Sequence, residues 1–235
     1  MKTIMVTGAD RGLGYSLCEN LLKRGNRVIA GSYMPEWKQL KELQNRYQET
    51  LLTVPIDISK DESVRCAALK ITEQIRALDW LINCAGVDGR ILDIREGYDY
   101  ASMLRTYNIN ALGTLRVTEA LLPLLDLGRD KKICCISSEA GSIGACWREN
   151  ETEYCMSKAA LNMGMVILSN RLKKDGYDIR LYHPGWMNTY MMGTKEEHAD
   201  LEPEDAAELA IHSFERERGD GVLYLESYDG TRIPW

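Results

Sequence analysis

Short apolar runs alternate along the chain with longer stretches whose apolar residues recur at helical spacing. Residues 2–7, 27–32, 51–56, 79–83, 132–137 and 179–182 read as strands. Between the first two, Leu13, Leu17, Leu21 and Leu22 share one helical face that ends near Gly25. A polar helix is predicted over about 35–49. Another spans 61–77, with Val64, Ala68, Ile71 and Ile75 facing inward. Long helices are expected over about 98–125 and 151–174, and a last one over 203–216 precedes a final strand at 221–225. The strand runs are too uniformly apolar to leave one face wet. Alternation of this kind predicts one α/β domain over 1–235, a doubly wound, mostly parallel sheet of seven strands with helices on both faces.

Composition narrows the function classes. Hydrophobic residues at 45% and charged residues at 27% suit a soluble globular domain. With 29 basic against 35 acidic residues the net charge is -6, so the chain lacks the footprint of a nucleic-acid partner. No polybasic run faces a membrane, no apolar stretch approaches the roughly 20 residues a span needs, and the start of the chain has no secretory pattern. A cytoplasmic location is expected. Seven cysteines without Cys-x-x-Cys spacing predict reduced thiols, and His183, His198 and His212 have no ligand spacing, so no metal is expected.

The chemistry begins at Thr7-Gly8-Ala9-Asp10-Arg11-Gly12-Leu13-Gly14, which follows the first strand and opens the first helix. Gly8 makes the turn, Gly12 admits a close backbone approach to a pyrophosphate, and Gly14 allows helix and strand to pack. Free N–H groups at the helix start favour phosphate. Farther on, Tyr154 and Lys158 stand four apart, on one face of a helix. A phenol near pKa 10 is a reluctant proton carrier at pH 7, and a neighbouring ammonium lowers that barrier. Ser138, at a strand end, can hold a substrate oxygen.

These motifs, in this order, resemble the short-chain dehydrogenase/reductase family over essentially the whole chain, and its sniffer, carbonyl-reductase and C-factor branch in particular. Asn83-Cys84-Ala85-Gly86, Asn110-Ala111-Leu112-Gly113, Ser138-Glu139-Ala140-Gly141, Tyr154-Cys155-Met156-Ser157-Lys158 and Pro184-Gly185-Trp186-Met187-Asn188-Thr189 carry the resemblance with the glycine loop. It implies a Rossmann fold and hydride transfer between NADP(H) and a small carbonyl or alcohol substrate. Tyr154 is then the general acid/base, assisted by Lys158, Ser138 and an Asn110-held water, with Asn108 a decoy. A non-catalytic dinucleotide sensor on the same fold is the alternative, but it has no use for the proton donor.

The resemblance also implies a cofactor groove of Gly8, Asp10, Arg11, Gly12, Leu13, Gly14, Ser32, Tyr33, Asp57, Ile58, Asn83, Ala85, Gly86, Pro184, Gly185, Met187 and Thr189, with Tyr154 and Lys158 at its chemical end. An NAD-selective site usually ends the second strand with an acid. Here that stretch reads Ala30-Gly31-Ser32-Tyr33-Met34, while Arg11 and Ser32 are candidates for a 2′-phosphate, so NADP(H) is expected and NAD(H) stays open. Asp57 either contacts adenine or caps the next helix. Two departures stand out: Cys84 replaces the family's second Asn, and the stretch from Ser138 to Tyr154 is longer than usual. Glu149, Glu151 and Glu153 read as a solvated loop and helix start. Trp147, Trp186, Met191, Met192 and Trp235 form either an apolar pocket or core, and Cys155 reads as a packed thiol. A homodimer or homotetramer is expected through the two long helices.

Overall fold

A computed structural model describes residues 1–34, 36–191, 196–217 and 221–235. Among these residues seven strands run parallel: β1 (Thr3–Thr7), β2 (Arg27–Ser32), β3 (Leu51–Pro55), β4 (Trp80–Asn83), β5 (Lys132–Ile136), β6 (Asp178–His183) and β7 (Leu225–Ser227). An eighth, β8 (Arg232–Ile233), joins β7 antiparallel and extends the expected seven. The order is β3-β2-β1-β4-β5-β6-β7-β8. The chain winds outward in one direction from β1 and in the other from β4, so a crevice opens between their carboxyl ends.

Among the described residues seven α-helices cover the sheet: α1 (Gly12–Lys23), α2 (Lys38–Arg46), α3 (Asp61–Gln74), α4 (Tyr100–Tyr107), α5 (Thr114–Asp126), α6 (Thr152–Leu172) and α7 (Pro203–Glu215). On one face Leu13, Leu17 and Leu21 of α1 meet Ala206, Ala210 and Phe214 of α7 over Ile4, Val28 and Tyr182. On the other, Val64 and Ile71 of α3, Val117 and Leu121 of α5, and Leu161 and Met165 of α6 cover Met5, Leu81, Ile133 and Leu181. These two apolar layers supply the main driving force for the fold.

Three differences from the sequence pattern have physical causes. The helix expected over 98–125 is interrupted by a π-helical turn, Asn108–Gly113, where the Thr114 hydroxyl donates to the Asn110 carbonyl (3.2 Å). Such turns often mark functional positions. Ala67, not Ala68, is the fully buried alanine of α3. The last strand starts at Leu225, past the apolar 221–224 stretch, because Leu225, Glu226 and Ser227 pair with Leu181, Tyr182 and His183. A buried Glu226, bonded to Arg216 (2.6 Å), disguised that strand. The expected start of α2 at Pro35 lies outside the described residues.

Candidate active site

A cavity of about 1360 Å³ runs along the carboxyl ends of the central strands, from the glycine loop to Tyr154. Its nucleotide end is built from backbone. Gly8 has φ +68°, and a β-carbon there would come within 2.8 Å of Ala85 Cα. A β-carbon on Gly14 would overlap the Gly8 carbonyl oxygen, so only glycine lets α1 start against the loop. The buried Thr7 hydroxyl accepts from the N–H groups of Cys84 and Ala85 (both 3.1 Å), tying the ends of β1 and β4 together.

At the far end, the Asp10 carboxylate accepts from the Ser32 hydroxyl (2.6 Å) and from the N–H groups of Tyr33 (2.9 Å) and Met34 (3.1 Å). Three donors thus occupy the only acid of the glycine loop. Arg11 lies over the Trp37 ring (4.9 Å to its centroid) and donates to the Tyr190 carbonyl (3.0 Å), while Trp37 and Tyr190 meet edge to face. Asp57 accepts from the N–H (3.0 Å) and hydroxyl (2.6 Å) of Ser59 and pairs with Lys60 (3.1 Å). Its carboxylate therefore organises its own loop rather than capping α3, whose N-cap is Lys60.

At the chemical end, Ser138 lies two residues past β5 in extended conformation, its Oγ accepting from the Ala140 N–H (3.1 Å). Tyr154 and Lys158 lie in the first turns of α6. Lys158 is 4% exposed, donates to the Ile136 carbonyl (3.0 Å), and sits 5.6 Å from the centroid of the Tyr154 ring. Burial lowers the Lys158 ammonium to about 8. Burial likewise pushes the Tyr154 phenol up; the facing Ser138 hydroxyl pulls it down, Asp88 and Glu139 raise it, and Arg148 opposes them. The phenol is thus not lowered in the way its Lys158 neighbour led one to expect. The Asn110 side chain accepts from the Val87 N–H (2.9 Å) and donates to the Val87 carbonyl (2.8 Å) and Ser157 Oγ (2.9 Å).

The short chain dehydrogenase family profile matches residues 2–200. The chain belongs to that family. It is 33% identical over 239 residues, all of both chains, to a 1-hydroxy-2-glutathionyl-2-methyl-3-butene dehydrogenase of Rhodococcus sp. (strain AD45). Among solved structures, an NADPH-bound carbonyl reductase from chicken fatty liver superposes with TM-score 0.88 at 28% identity, covering 100% of this chain and 99% of that one. The carbonyl reductase Sniffer of D. melanogaster superposes at 0.91 and 25% identity over the whole of both.

This short-chain dehydrogenase departs from its sequence reading at several side chains. Gly8, Asp10, Arg11, Gly12, Leu13, Gly14, Tyr33, Asp57, Ile58, Ala85, Gly86, Ser138, Tyr154, Lys158, Pro184, Gly185, Met187 and Thr189 all line the cavity. Asn83 does not: its amide donates inward to Thr118 Oγ1 (3.3 Å), toward α5. Ser32 is turned to Asp10, and Asn110 acts behind the wall through Val87. Asn108 donates to the Ser59 carbonyl (3.0 Å) and accepts from Arg116 (3.0 Å), a role in holding the Asp57 loop.

Of the three glutamates read as solvated, only Glu149 is exposed. Glu153 is buried, accepting from Ser102 Oγ (2.8 Å), Thr106 Oγ1 (2.5 Å) and the Arg90 N–H (3.1 Å). Glu151 pairs with Arg148. Trp147, Trp186 and Met191 line the cavity; Trp235 does not, and Met192 lies outside the described residues. Burial raises the Cys155 thiol, in keeping with a packed role, and all seven cysteines are free. Sequence reasoning missed Thr7, Trp37, Asp88 and Tyr190; an aromatic shortly after β2 was the one local signal. Among the described residues no helix is long and apolar enough to cross a membrane.

Proposed function

We propose that this chain is an NADP(H)-preferring carbonyl reductase or alcohol dehydrogenase in which Tyr154, Lys158, Ser138 and Asn110 form the catalytic group. One observation carries the reading. A half-buried Tyr154 and a buried Lys158 face Ser138 in the same cavity that the glycine loop opens at its other end. The fit to a dinucleotide is structural: Gly8 and Gly14 let the loop close against Ala85 and against the start of α1, so that the loop backbone itself lines a groove that continues to Tyr154. The fit to a 2′-phosphate rests on Arg11 at the rim and on Asp10, whose carboxylate is already held by three donors and so is not offered to ribose hydroxyls.

When bound, the nicotinamide supplies or accepts the hydride at the substrate carbon. Tyr154 gives its phenolic proton to the carbonyl oxygen, or takes it back from an alcohol in the reverse direction. Ser138 donates a hydrogen bond to that oxygen as charge develops. Lys158 holds the nicotinamide ribose and its ammonium stabilises the phenolate. Asn110 fixes Val87 and Ser157, and with them the wall behind Lys158 and the water that serves it. Tyr154→Phe is expected to lower kcat at least a thousandfold for NADPH-dependent carbonyl reduction, with the NADPH Kd unchanged within twofold. Dinucleotide binding with no turnover of any carbonyl by the wild type supports the sensor reading instead.

We place the whole chain in one domain and propose a homodimer or homotetramer in the cytoplasm. Tyr100 and Leu104 of α4 and Met163 and Ile167 of α6 leave apolar surface exposed on the long helices, as an interface does. Sedimentation showing only monomer at micromolar concentration would remove that part.

A further inference from the structure

The lengthened stretch between Ser138 and Tyr154 folds back on the site through one side chain. Arg148, with its side chain 14% exposed, gives both ends of its guanidinium fork to Glu139 (2.6 and 2.7 Å) and its Nε–H to Glu151 (2.9 Å). Its plane lies 4.8 Å from the Trp147 ring centroid. Glu139 directly follows Ser138. Glu151 is the N-cap of α6, three residues before Tyr154, and holds φ +62°, a left-handed conformation that costs a non-glycine residue free energy. Its carbonyl accepts from the Cys155 N–H (3.0 Å), starting the helix that carries the phenol.

We infer that Arg148 is a positioning residue for the reaction: it fixes the separation of Ser138 and Tyr154 by bonding the residue beside each. A bidentate guanidinium–carboxylate pair constrains orientation as well as distance, which an ammonium does not. The same group also sets the charge near the phenol. Facing Tyr154 are Asp88 from the loop after β4, Glu139 from the end of β5, Arg148 itself and Lys158 from α6; Glu151 and Glu153 lie beside Asp88, and His183 beside Glu139. Loss of Arg148 leaves Glu139 and Glu151 uncompensated there, so forming the phenolate becomes harder. The inference rests on the proposed reductase activity.

The test compares wild type, Arg148→Lys, Arg148→Met and the double variant Arg148→Met/Glu139→Gln. It follows NADPH oxidation with one ketone substrate, the pH dependence of the reverse reaction, and NADPH affinity by nicotinamide fluorescence. Arg148→Met is expected to lower kcat about tenfold to a hundredfold, as a sub-ångström misplacement does, with NADPH affinity within twofold. The rising limb of alcohol oxidation should move about one pH unit upward. The double variant should recover the pH profile but not kcat, and Arg148→Lys should fall between wild type and Arg148→Met. If Arg148→Met does not fold, Arg148→Lys carries the same comparison against wild type. Folded Arg148 variants with kcat and profile within twofold of wild type overturn the inference and leave the reductase reading standing. Absence of any wild-type turnover sinks both.

Discussion

The two ends of the cavity are built in opposite ways. The nucleotide end is made of backbone: Gly8, Gly14 and the Thr7 bridge to Cys84 and Ala85 leave little that a side chain could adjust. The other end is made of side chains at the surface, among them Trp147 (76% exposed), Trp186 and Met191, with Arg148 against the Trp147 ring. A shared cofactor demands one shape, and a backbone cradle gives that shape at low conformational entropy. A variable substrate demands adjustable walls, and loops on a rigid sheet supply them.

The sharpest way to break this contrast is at Gly14. Gly14→Ala forces a methyl into the Gly8 carbonyl, and backbone cannot give way as a flexible side chain does. Stability should fall by about 3 kcal/mol or more, and NADPH binding should be lost, as read by urea denaturation and fluorescence titration. A variant of near wild-type stability that binds NADPH would show the cradle to be softer than it looks. Next in size is Arg11→Ala, expected to weaken NADPH tenfold to a hundredfold and NADH by less than twofold. Equal losses for the two cofactors would remove Arg11 from 2′-phosphate recognition.

How much of this was legible depends on the range of each interaction. The glycine loop was readable because its three glycines act within one strand–turn–helix unit, and Tyr154 with Lys158 because helical spacing alone puts them on one face. The alternation of strands and helices gave the sheet its class, yet the position of β7 escaped because Glu226 is buried against Arg216, a pairing that hydropathy cannot show. The same limit hid Glu153, whose partners Ser102 and Thr106 come from α4, and the Trp37–Arg11–Tyr190 stack, whose members are 179 residues apart at the ends of its hydrogen bond. The direction of the Asn83 amide was hidden for a related reason: the motif fixes its backbone position, while Thr118 on a distant helix decides where its amide points. Chemistry set by neighbours in sequence could be read, and chemistry set by neighbours in space could not.

Lys158 sharpens the comparison in the language of stability. The folded chain holds its ammonium at about 8, below its ordinary value of 10.5, and burial is the main cause. The unfolded chain therefore binds more protons between those values, and stability rises as pH climbs through that window. At pH 7 the buried charge is a net cost of about 3 kcal/mol at 1.36 kcal/mol per pKa unit. Lys158→Met should thus abolish turnover and yet stabilise the protein at pH 7 by about 1–3 kcal/mol, less whatever the orphaned Ile136 carbonyl takes back. The gain should shrink as pH climbs from about 8 and vanish only above 10.5, where the lysine is neutral in both the folded and the unfolded chain. A variant less stable than wild type at pH 7 would mean that the ammonium is better solvated than its burial implies.

The smallest effect belongs to the adjustable end. Asp88 lines the cavity, and its carboxylate accepts from the N–H of its own neighbour Gly89 (2.9 Å). Burial raises it; that N–H opposes the rise, while Glu151 and Glu153 add to it. Asp88 in turn makes the Tyr154 phenol harder to ionise. Asp88→Asn removes that charge and keeps the shape, so the rising limb of alcohol oxidation should move down by about half a pH unit. Because no step of the proposed mechanism uses Asp88, kcat on the plateau should stay within about threefold of wild type. The two expectations separate tuning from participation. A plateau loss of a hundredfold would put Asp88 in contact with the reacting groups, and an unmoved limb would show that solvent in the open half of the cavity screens its charge from the phenol.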